Sequence, residues 1–323
     1  MDSIGSAQKV LTQLKAGDNY LLLSHVHPDG DSVGSLIALG DLLRQLGKQA
    51  TIAASEEVAQ AFHFIPGVDK IRVGESDLAE SYERVVAVDV SDYRRIGSLK
   101  SYLDSAQEVI NIDHHLGNEF GEPRYVRPSA CATGELIYEL FELAGLQPSY
   151  AAAVALYTAI VTDTGRFSHA NTTSEAFRIA AKLVELGVDP YQIFHQIYQR
   201  KDLGFIRLLG RVLAGLQSAC GGRVVYIILD QAMLAEYVPN MGDSENYISY
   251  AQMVEGVKVA LLFRQLPDGR TKVSWRSVPG VDVSVYARQF GGGGHANAAG
   301  CEIDLEPHRA AEKILALLNN NFC

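Results

Sequence analysis

The chain has 323 residues, of which 47% are hydrophobic and 20% charged, with a formal net charge of −10. That length suggests about two domains, and the acidic balance argues against a protein that coats long nucleic acid by bulk charge attraction. No apolar run approaches the ~18–20 residues of a membrane span.

The acid is unevenly spread. From Phe205 onward there are 11 basic and 11 acidic residues, which leaves 17 against 27 before it, so the whole excess lies in the N-terminal part. The first twenty residues lack the basic and apolar regions of a secretory leader, so a cytoplasmic protein with no membrane contact is expected. The cysteines, Cys131, Cys220, Cys301 and Cys323, have no paired spacing and read as idle thiols of a reducing compartment.

"NYLLLSH" (19–25) is short, apolar and polar at its end, the pattern of a buried strand. Val33, Leu36, Ile37, Leu39, Leu42, Leu43 and Leu46 then recur near helical spacing, and Gly47 stands where a C-terminal cap belongs. "RVVAVDV" (84–90) and "EVINIDHH" (108–115) are further apolar runs that end in acid. Strands alternating with helices predict an α/β fold, with a mostly parallel N-terminal sheet flanked by helices. Helices are expected over about 133–144, 149–162 and 173–186, the last with Thr172 and Glu175 in a capping-box pattern and Gly187 as its stop. Asp189-Pro190 opens a helical connector over 188–204.

The remainder reads as a smaller α/β domain. A helix over 202–218 precedes a strand at 223–229 and a polar helical stretch. "GVKVALLFRQLPDGRTKVSWRS" is a hairpin that turns at Pro267-Asp268-Gly269. A helix near 282–290, "GGGGHANAAG" (291–300), a short strand and a terminal helix over 307–319 complete it. The expected boundaries are 1–187, the connector 188–204, and 205–323.

In parallel sheets ligands bind beyond the carboxyl ends of the strands. His25, Asp89 and Asp113 fall at such ends, and Asp163 lies in a fourth motif, "YTAIVTDTGRF". In "HVHPDGD" (25–31) two histidines and two aspartates crowd into seven positions, where the carboxylates repel one another unless a cation lies between them. Carboxylate-rich sites with few histidines and no thiolate suit Mn²⁺ or Mg²⁺ better than Zn²⁺. Four aspartates balance two divalent ions and let a phosphate approach.

These motifs resemble a known family. "HVHPDGDSVGS", "VAVDVSDYRRIG", "NIDHH" and "TAIVTDTGRF" look like the successive motifs of DHH phosphoesterases. "FRQLPDGRTKVSWRS" with "GGGGHANAAG" looks like the DHHA1 substrate domain that follows them, and the match is nearest to the short, NrnA-type branch. The resemblance implies that His25, Asp29 and Asp89 hold one metal and Asp31, Asp89, His114 and Asp163 the other, with Asp89 shared. The ions would be two Mn²⁺, with Mg²⁺ as the alternative. It implies that His115 faces the phosphate, that Asp113 orients a histidine, and that His27 is peripheral. One of Arg94 and Arg95 would stabilise the phosphoryl oxygens. Arg264, Arg276, Ser277, Gly293, Gly294 and His295 would bind substrate. Trp275 departs from the family pattern, which has an aliphatic residue there, and reads as core, with stacking on a base as the alternative.

The implied activity is two-metal hydrolysis of short oligoribonucleotides to mononucleotides and removal of the 3′-phosphate of 3′-phosphoadenosine 5′-phosphate. The partners are those substrates, not long duplex nucleic acid; the sequence leaves the oligomeric state open, a homodimer being compatible with it. The alternatives are a phosphodiesterase for cyclic or linear dinucleotides and, in another class, a catalytically silent nucleotide sensor. His25-x-His27-x-Asp29 also resembles the opening of the metallo-β-lactamase motif, but Gly30 stands where that motif has histidine.

Overall fold

The computed structural model describes residues 3–237 and 247–323. The chain divides into two compact units, residues 1–200 and 201–323.

The first unit runs α1 (Ser3–Ala16), β1 (Tyr20–Leu23), α2 (Gly30–Gln45), β2 (Ala50–Ala54), β3 (Arg72–Val73), β4 (Arg84–Val88), α3 (Lys100–Ser105), β5 (Glu108–Asp113), β6 (Arg124–Val126), α4 (Thr133–Ala144), α5 (Tyr150–Asp163), α6 (Ser174–Glu185) and α7 (Pro190–Phe194). Its six strands are all parallel, in the order β3-β2-β1-β4-β5-β6. The order reverses between β1 and β4, the topological switch point at which open α/β sheets bind ligands.

Successive side chains of the central strands point to opposite faces, and both faces are buried. Tyr20, Leu22, Val86, Val88, Ile110 and Ile112 pack with α1, α2, α4, α5 and α6. Leu21, Leu23, Val85 and Ala87 pack with Ile96, Leu99, Tyr102 and Leu103 on the other side. Burial on both faces explains why these strands are continuous apolar runs rather than alternating ones.

Close packing of α2 on α5 comes from glycines. A Cβ at Gly30 would lie 2.4 Å from Thr162 Oγ1, and one at Gly34 would lie 2.3 Å from the Ala155 carbonyl oxygen. Only hydrogen at these positions lets the start of α2 reach the end of α5.

The second unit runs α8 (Leu203–Ala214), β7 (Gln217–Ala219), β8 (Val224–Leu229), α9 (Gln231–Tyr237), α10 (Ile248–Gln252), β9 (Val259–Gln265), β10 (Thr271–Ser277), α11 (Ser284–Arg288), β11 (Gly293–His295), β12 (Ala298–Ile303) and α12 (Pro307–Phe322). The sheet order is β11-β12-β10-β9-β8-β7, antiparallel except for β8 beside β9. One face packs on α11 and α12 through Phe263, Val273, Trp275, Ile314 and Leu318. The other packs on α8, α9 and α10 through Ile227, Leu262, Leu208 and Ala251.

Several local expectations shift. The N-cap of α6 is Thr173, whose side chain accepts from the Ala176 N–H, rather than Thr172. The helix expected over 202–218 stops at Ala214, and Gln217–Ala219 pairs with β8 as an edge strand. The polar helical stretch is α9 and α10, and its middle, 238–246, lies outside the described residues. The end of the polyglycine run forms an edge strand, β11. Cys220 and Cys323 form a disulfide across 103 residues, against the expectation of idle thiols. A pair so far apart in sequence has no local spacing to betray it. Among the described residues no helix is long and apolar enough to cross a membrane.

Candidate metal centre and substrate face

The expected groups converge beyond the carboxyl ends of β1, β4 and β5. His25 follows β1, and its Nδ1–H donates to the Val26 carbonyl at 2.7 Å. That leaves Nε2 facing Asp29 Oδ2 at 3.7 Å and Asp89 Oδ2 at 3.5 Å. Asp29 caps α2 by accepting from the Ser32 N–H at 3.0 Å, and its side chain is 57% exposed, the open edge of the cluster. Asp89 follows β4 with φ of 60°, a left-handed conformation that Asp adopts more readily than bulky residues.

His114 follows β5. Its Nδ1 lies 3.3 Å from the Ala130 carbonyl, and its Nε2 stands 3.7 Å from Asp31 Oδ2, 3.8 Å from Asp89 Oδ1 and 3.7 Å from Asp163 Oδ2. Separations of 3.5–3.8 Å are too long for good hydrogen bonds. They suit donors on two sides of one ion with bonds of about 2.1 Å. Two sets, His25–Asp29–Asp89 and Asp31–His114–Asp163, each bring their ligand atoms within 4.8 Å of one another, and a third, Asp89–His114–His115, overlaps both, sharing Asp89 with the first and His114 with the second.

The electrostatics fit a missing positive charge. Burial, then the charges of Asp89, Asp163 and Asp29, push Asp31 well above the usual carboxylate range. Asp163 is pushed up to about 6, mainly by burial, with Asp89 adding and His114 opposing. Burial pulls His25 down, but Asp29 and Asp89 outweigh it and carry it up to about 10. Without cations the cluster is driven to collect protons. The donor set, two imidazoles and four carboxylates without thiolate, fits hard divalent ions.

Beside this cluster His115 donates from Nδ1 to Asp113 Oδ1 at 2.8 Å, and the bond to Asp113 raises its pKa. Burial favours the neutral acid in Asp113, but His115 and Asn118 overcome it and hold the carboxyl below its ordinary range. Asn118 Nδ2 donates to Asp113 Oδ2 at 2.6 Å.

The two arginines part company. Arg94 forks onto Asp92, with Nη2 2.6 Å from Oδ2, and is 84% exposed, so the structure does not bring it to the cluster. Arg95 does reach it, with Nη2 3.4 Å from His25 Nδ1. Its carbonyl also accepts from the Val26 N–H at 2.7 Å, which ties its turn to the His25 loop. His27 is 87% exposed and pairs with Glu56 at 2.6 Å, the peripheral place expected of it.

In the second unit the register puts Arg276 opposite Ala298, which pairs in turn with His295. These three share one face of the sheet. Ser274, Gly300 and Gly293 form the next row, a floor of small residues. Arg264 lies across from Lys272 on the same face. The glycines are needed at two places: a Cβ at Gly292 would lie 2.1 Å from the Gly300 carbonyl oxygen, and one at Gly294, whose φ is 138°, would lie 2.5 Å from that of Ala298. Gly293 has open space. Ser277 is turned inward: it donates to the Val281 carbonyl at 2.6 Å and accepts from Asn297 at 3.0 Å, stapling a loop. Trp275 is fully buried and stacked on Tyr286, as expected.

Sequence reasoning missed Asn118, Asn171, Thr133 and Gly134. Asn171 Nδ2 donates to Asp163 Oδ2 at 3.1 Å. Thr133 and Gly134 open α4, and a helix start beside an acid cluster was the signal available.

A parallel sheet whose strand ends gather aspartates and histidines, followed by a second α/β unit, defines a class, and comparison with known proteins agrees. A family model described as "DHH family, N-terminal domain" matches residues 19–160, and one described as "DHHA1 domain" matches 221–322. The chain belongs to the DHH family. It is 34% identical over 306 residues to the bifunctional oligoribonuclease and PAP phosphatase NrnA of Thermus thermophilus, covering 91% of this chain and 87% of that one. The fold matches an exopolyphosphatase-related protein from Bacteroides fragilis with a TM-score of 0.90 at 24% identity, covering 98% and 96% of the two chains. It also matches the exonuclease RecJ bound to manganese with a TM-score of 0.53 at 16% identity, covering 100% of this chain and 95% of that one.

Proposed function

We propose that the protein is a metal-dependent phosphoesterase that hydrolyses short oligoribonucleotides to mononucleotides and removes the 3′-phosphate of 3′-phosphoadenosine 5′-phosphate. The observation that carries this reading is the pair of aspartate–histidine sets, His25–Asp29–Asp89 and Asp31–His114–Asp163, linked by the Asp89–His114–His115 set, in a chain 34% identical to a relative named for both activities.

His25, Asp29 and Asp89 would hold one divalent ion, and Asp31, Asp89, His114 and Asp163 the other. Mn²⁺ is preferred over Mg²⁺ because each set includes a histidine. When bound, the ions supply charge neutralisation for the phosphoryl oxygens and lower the pKa of a water to near 7.

The chain's own groups do the rest. Arg95 offers its guanidinium to a phosphoryl oxygen. His115, held by Asp113 through Nδ1 and raised in pKa by that bond, presents Nε2 as the acid for the leaving oxygen. Asn118 fixes Asp113, which fixes the ring. Arg276 and His295, on one row of the second sheet, take a phosphate of the substrate, and Gly293, beside which a Cβ would meet nothing within 4 Å, lets it approach bare backbone. Ser277 shapes this face rather than touching substrate.

The test incubates the purified protein and Mn²⁺ with di- to pentaribonucleotides, 3′-phosphoadenosine 5′-phosphate and cyclic di-AMP. Release of mononucleotides and AMP is expected, and Asp89→Asn, which tolerates the left-handed backbone, should lose at least ~100-fold of it with the fold kept. Rapid turnover of the cyclic compound alone would replace the substrate assignment. Nucleotide binding without any hydrolysis would make the protein a sensor.

A further inference from the structure

The segment Ala130–Gly134 reaches every group of the set centred on His114, His114 and Asp31 directly and Asp163 through Asn171. The Ala130 carbonyl faces His114 Nδ1 at 3.3 Å. The Cys131 carbonyl accepts from Asn171 Nδ2 at 2.9 Å, and the same nitrogen donates to Asp163 Oδ2 at 3.1 Å. The Thr133 N–H donates to Asp31 Oδ2 at 2.7 Å and the Gly134 N–H to Asp31 Oδ1 at 2.9 Å. The Thr133 hydroxyl donates to Asp89 Oδ1 at 3.0 Å. Thr133, Asp31 and Asp89 are all buried, so these bonds do not compete with water.

The segment is itself braced. The buried Glu135 accepts from the Cys131 N–H at 2.9 Å through Oε2 and from Arg127 at 2.7 Å through Oε1. Arg127 also binds Glu139 at 2.6 Å. Gly134 cannot carry a side chain, because its Cβ would meet the Ala159 Cβ at 2.6 Å.

From this geometry we infer that Thr133 is a positioning residue for cation binding, and that its hydroxyl and N–H together orient the Asp31 and Asp89 carboxylates. The inference rests on the reading that these groups hold metal. A carboxylate has about four lone-pair sites. Two of Asp31's are taken by α4 and a third by Ser35 Oγ at 3.0 Å, and one of Asp89's is taken by Thr133. The sites left over face His114 and His25. Without the hydroxyl, Asp89 Oδ1 would be free to rotate toward His115 Nδ1, which stands 3.6 Å from it. Partners that orient metal ligands typically contribute 10–100-fold to affinity.

The test is calorimetric titration of the metal-free protein with Mn²⁺, alongside its melting temperature in EDTA. Thr133→Val keeps the volume and the backbone N–H but loses the hydroxyl, and its Mn²⁺ affinity should fall 10–100-fold. Thr133→Ser keeps the hydroxyl, so its affinity should stay within about threefold of wild type even if removal of the methyl lowers the melting temperature. Wild-type affinity in Thr133→Val would overturn the inference, as would a serine variant as weak as the valine one. Failure of the wild-type protein to bind Mn²⁺ would instead overturn the reading on which the inference rests.

Discussion

Gly34→Ala is the sharpest perturbation of how the acids are gathered. The added methyl would lie 2.3 Å from the Ala155 carbonyl oxygen and 3.1 Å from the Ala159 Cβ. Carbon–oxygen contacts close at ~3.3 Å, so α2 must back away from α5 by about 1 Å. The obstacle is helix backbone, which cannot turn aside. Such overpacking costs ~1–3 kcal/mol, and alanine in a helix interior returns ~1, which leaves a net loss of up to about 2 kcal/mol. In a domain of this size that lowers the melting temperature by up to roughly 8 °C.

The functional loss should be larger than the structural one. Asp31 stands one turn before Gly34, and Asp163 one turn after Ala159, so the displacement opens the set they share with His114. A misplacement of ~1 Å can cost ~100-fold in rate, and Mn²⁺ affinity should fall with it. The assays are melting in EDTA and calorimetric Mn²⁺ titration. The control is Gly210→Ala in α8, where a Cβ meets nothing within 4 Å, so a gain of up to ~1 kcal/mol is expected. A Gly34→Ala protein that melts and binds Mn²⁺ like wild type would refute the claim that α2–α5 approach assembles the centre.

Two further expectations concern protons. In EDTA, the stability margin of wild type over Asp113→Asn should be fullest between about pH 4 and 6.5. It should fade as pH falls through the depressed pKa of Asp113 and as pH rises through the raised pKa of His115, and parallel melting-versus-pH curves would exclude the pair as its source. Mn²⁺ binding should release protons: at pH 8 from His25, which holds its proton up to about 10 in the metal-free protein, and at pH 6 also from Asp163. Calorimetric heats that do not vary with buffer ionisation enthalpy would contradict it.

What could be read from the sequence, and what could not, follows from where each signal resides. His25, Asp89 and the DHH triplet end apolar runs, so strand pattern and chemistry coincide at one place in the text. Nothing in the text separates Arg94 from Arg95. Their fates are decided by Asp92, which caps the turn through the Arg94 N–H at 2.8 Å and captures the Arg94 side chain. Ser277 looked available because a loop staple from Asn297, twenty residues on, has no pattern. Thr133 was legible only as a helix start; its second partner, Asp89, is 44 residues away. β2 and α1 went unassigned because neither carries a polar motif at its end, although β1 pairs with β2 along its whole length.

The acidic excess of the N-terminal part now has a partial location. Asp29, Asp31, Asp89 and Asp163 belong to one cluster, and Asp31 and Asp89 are almost wholly buried. Mutual repulsion in a low-dielectric site works against folding. The chain offsets it with the N–H groups of α4, the Ser35 hydroxyl and two imidazoles, yet Asp31 and Asp163 still sit above their ordinary range. Whatever cation completes the balance therefore stabilises the fold by the amount it is bound. It follows that substitutions among the cluster residues should move metal-dependent melting and catalysis together, whereas substitution of Arg276, which lies in the other unit, should change catalysis and leave the metal-induced rise in melting temperature where it was.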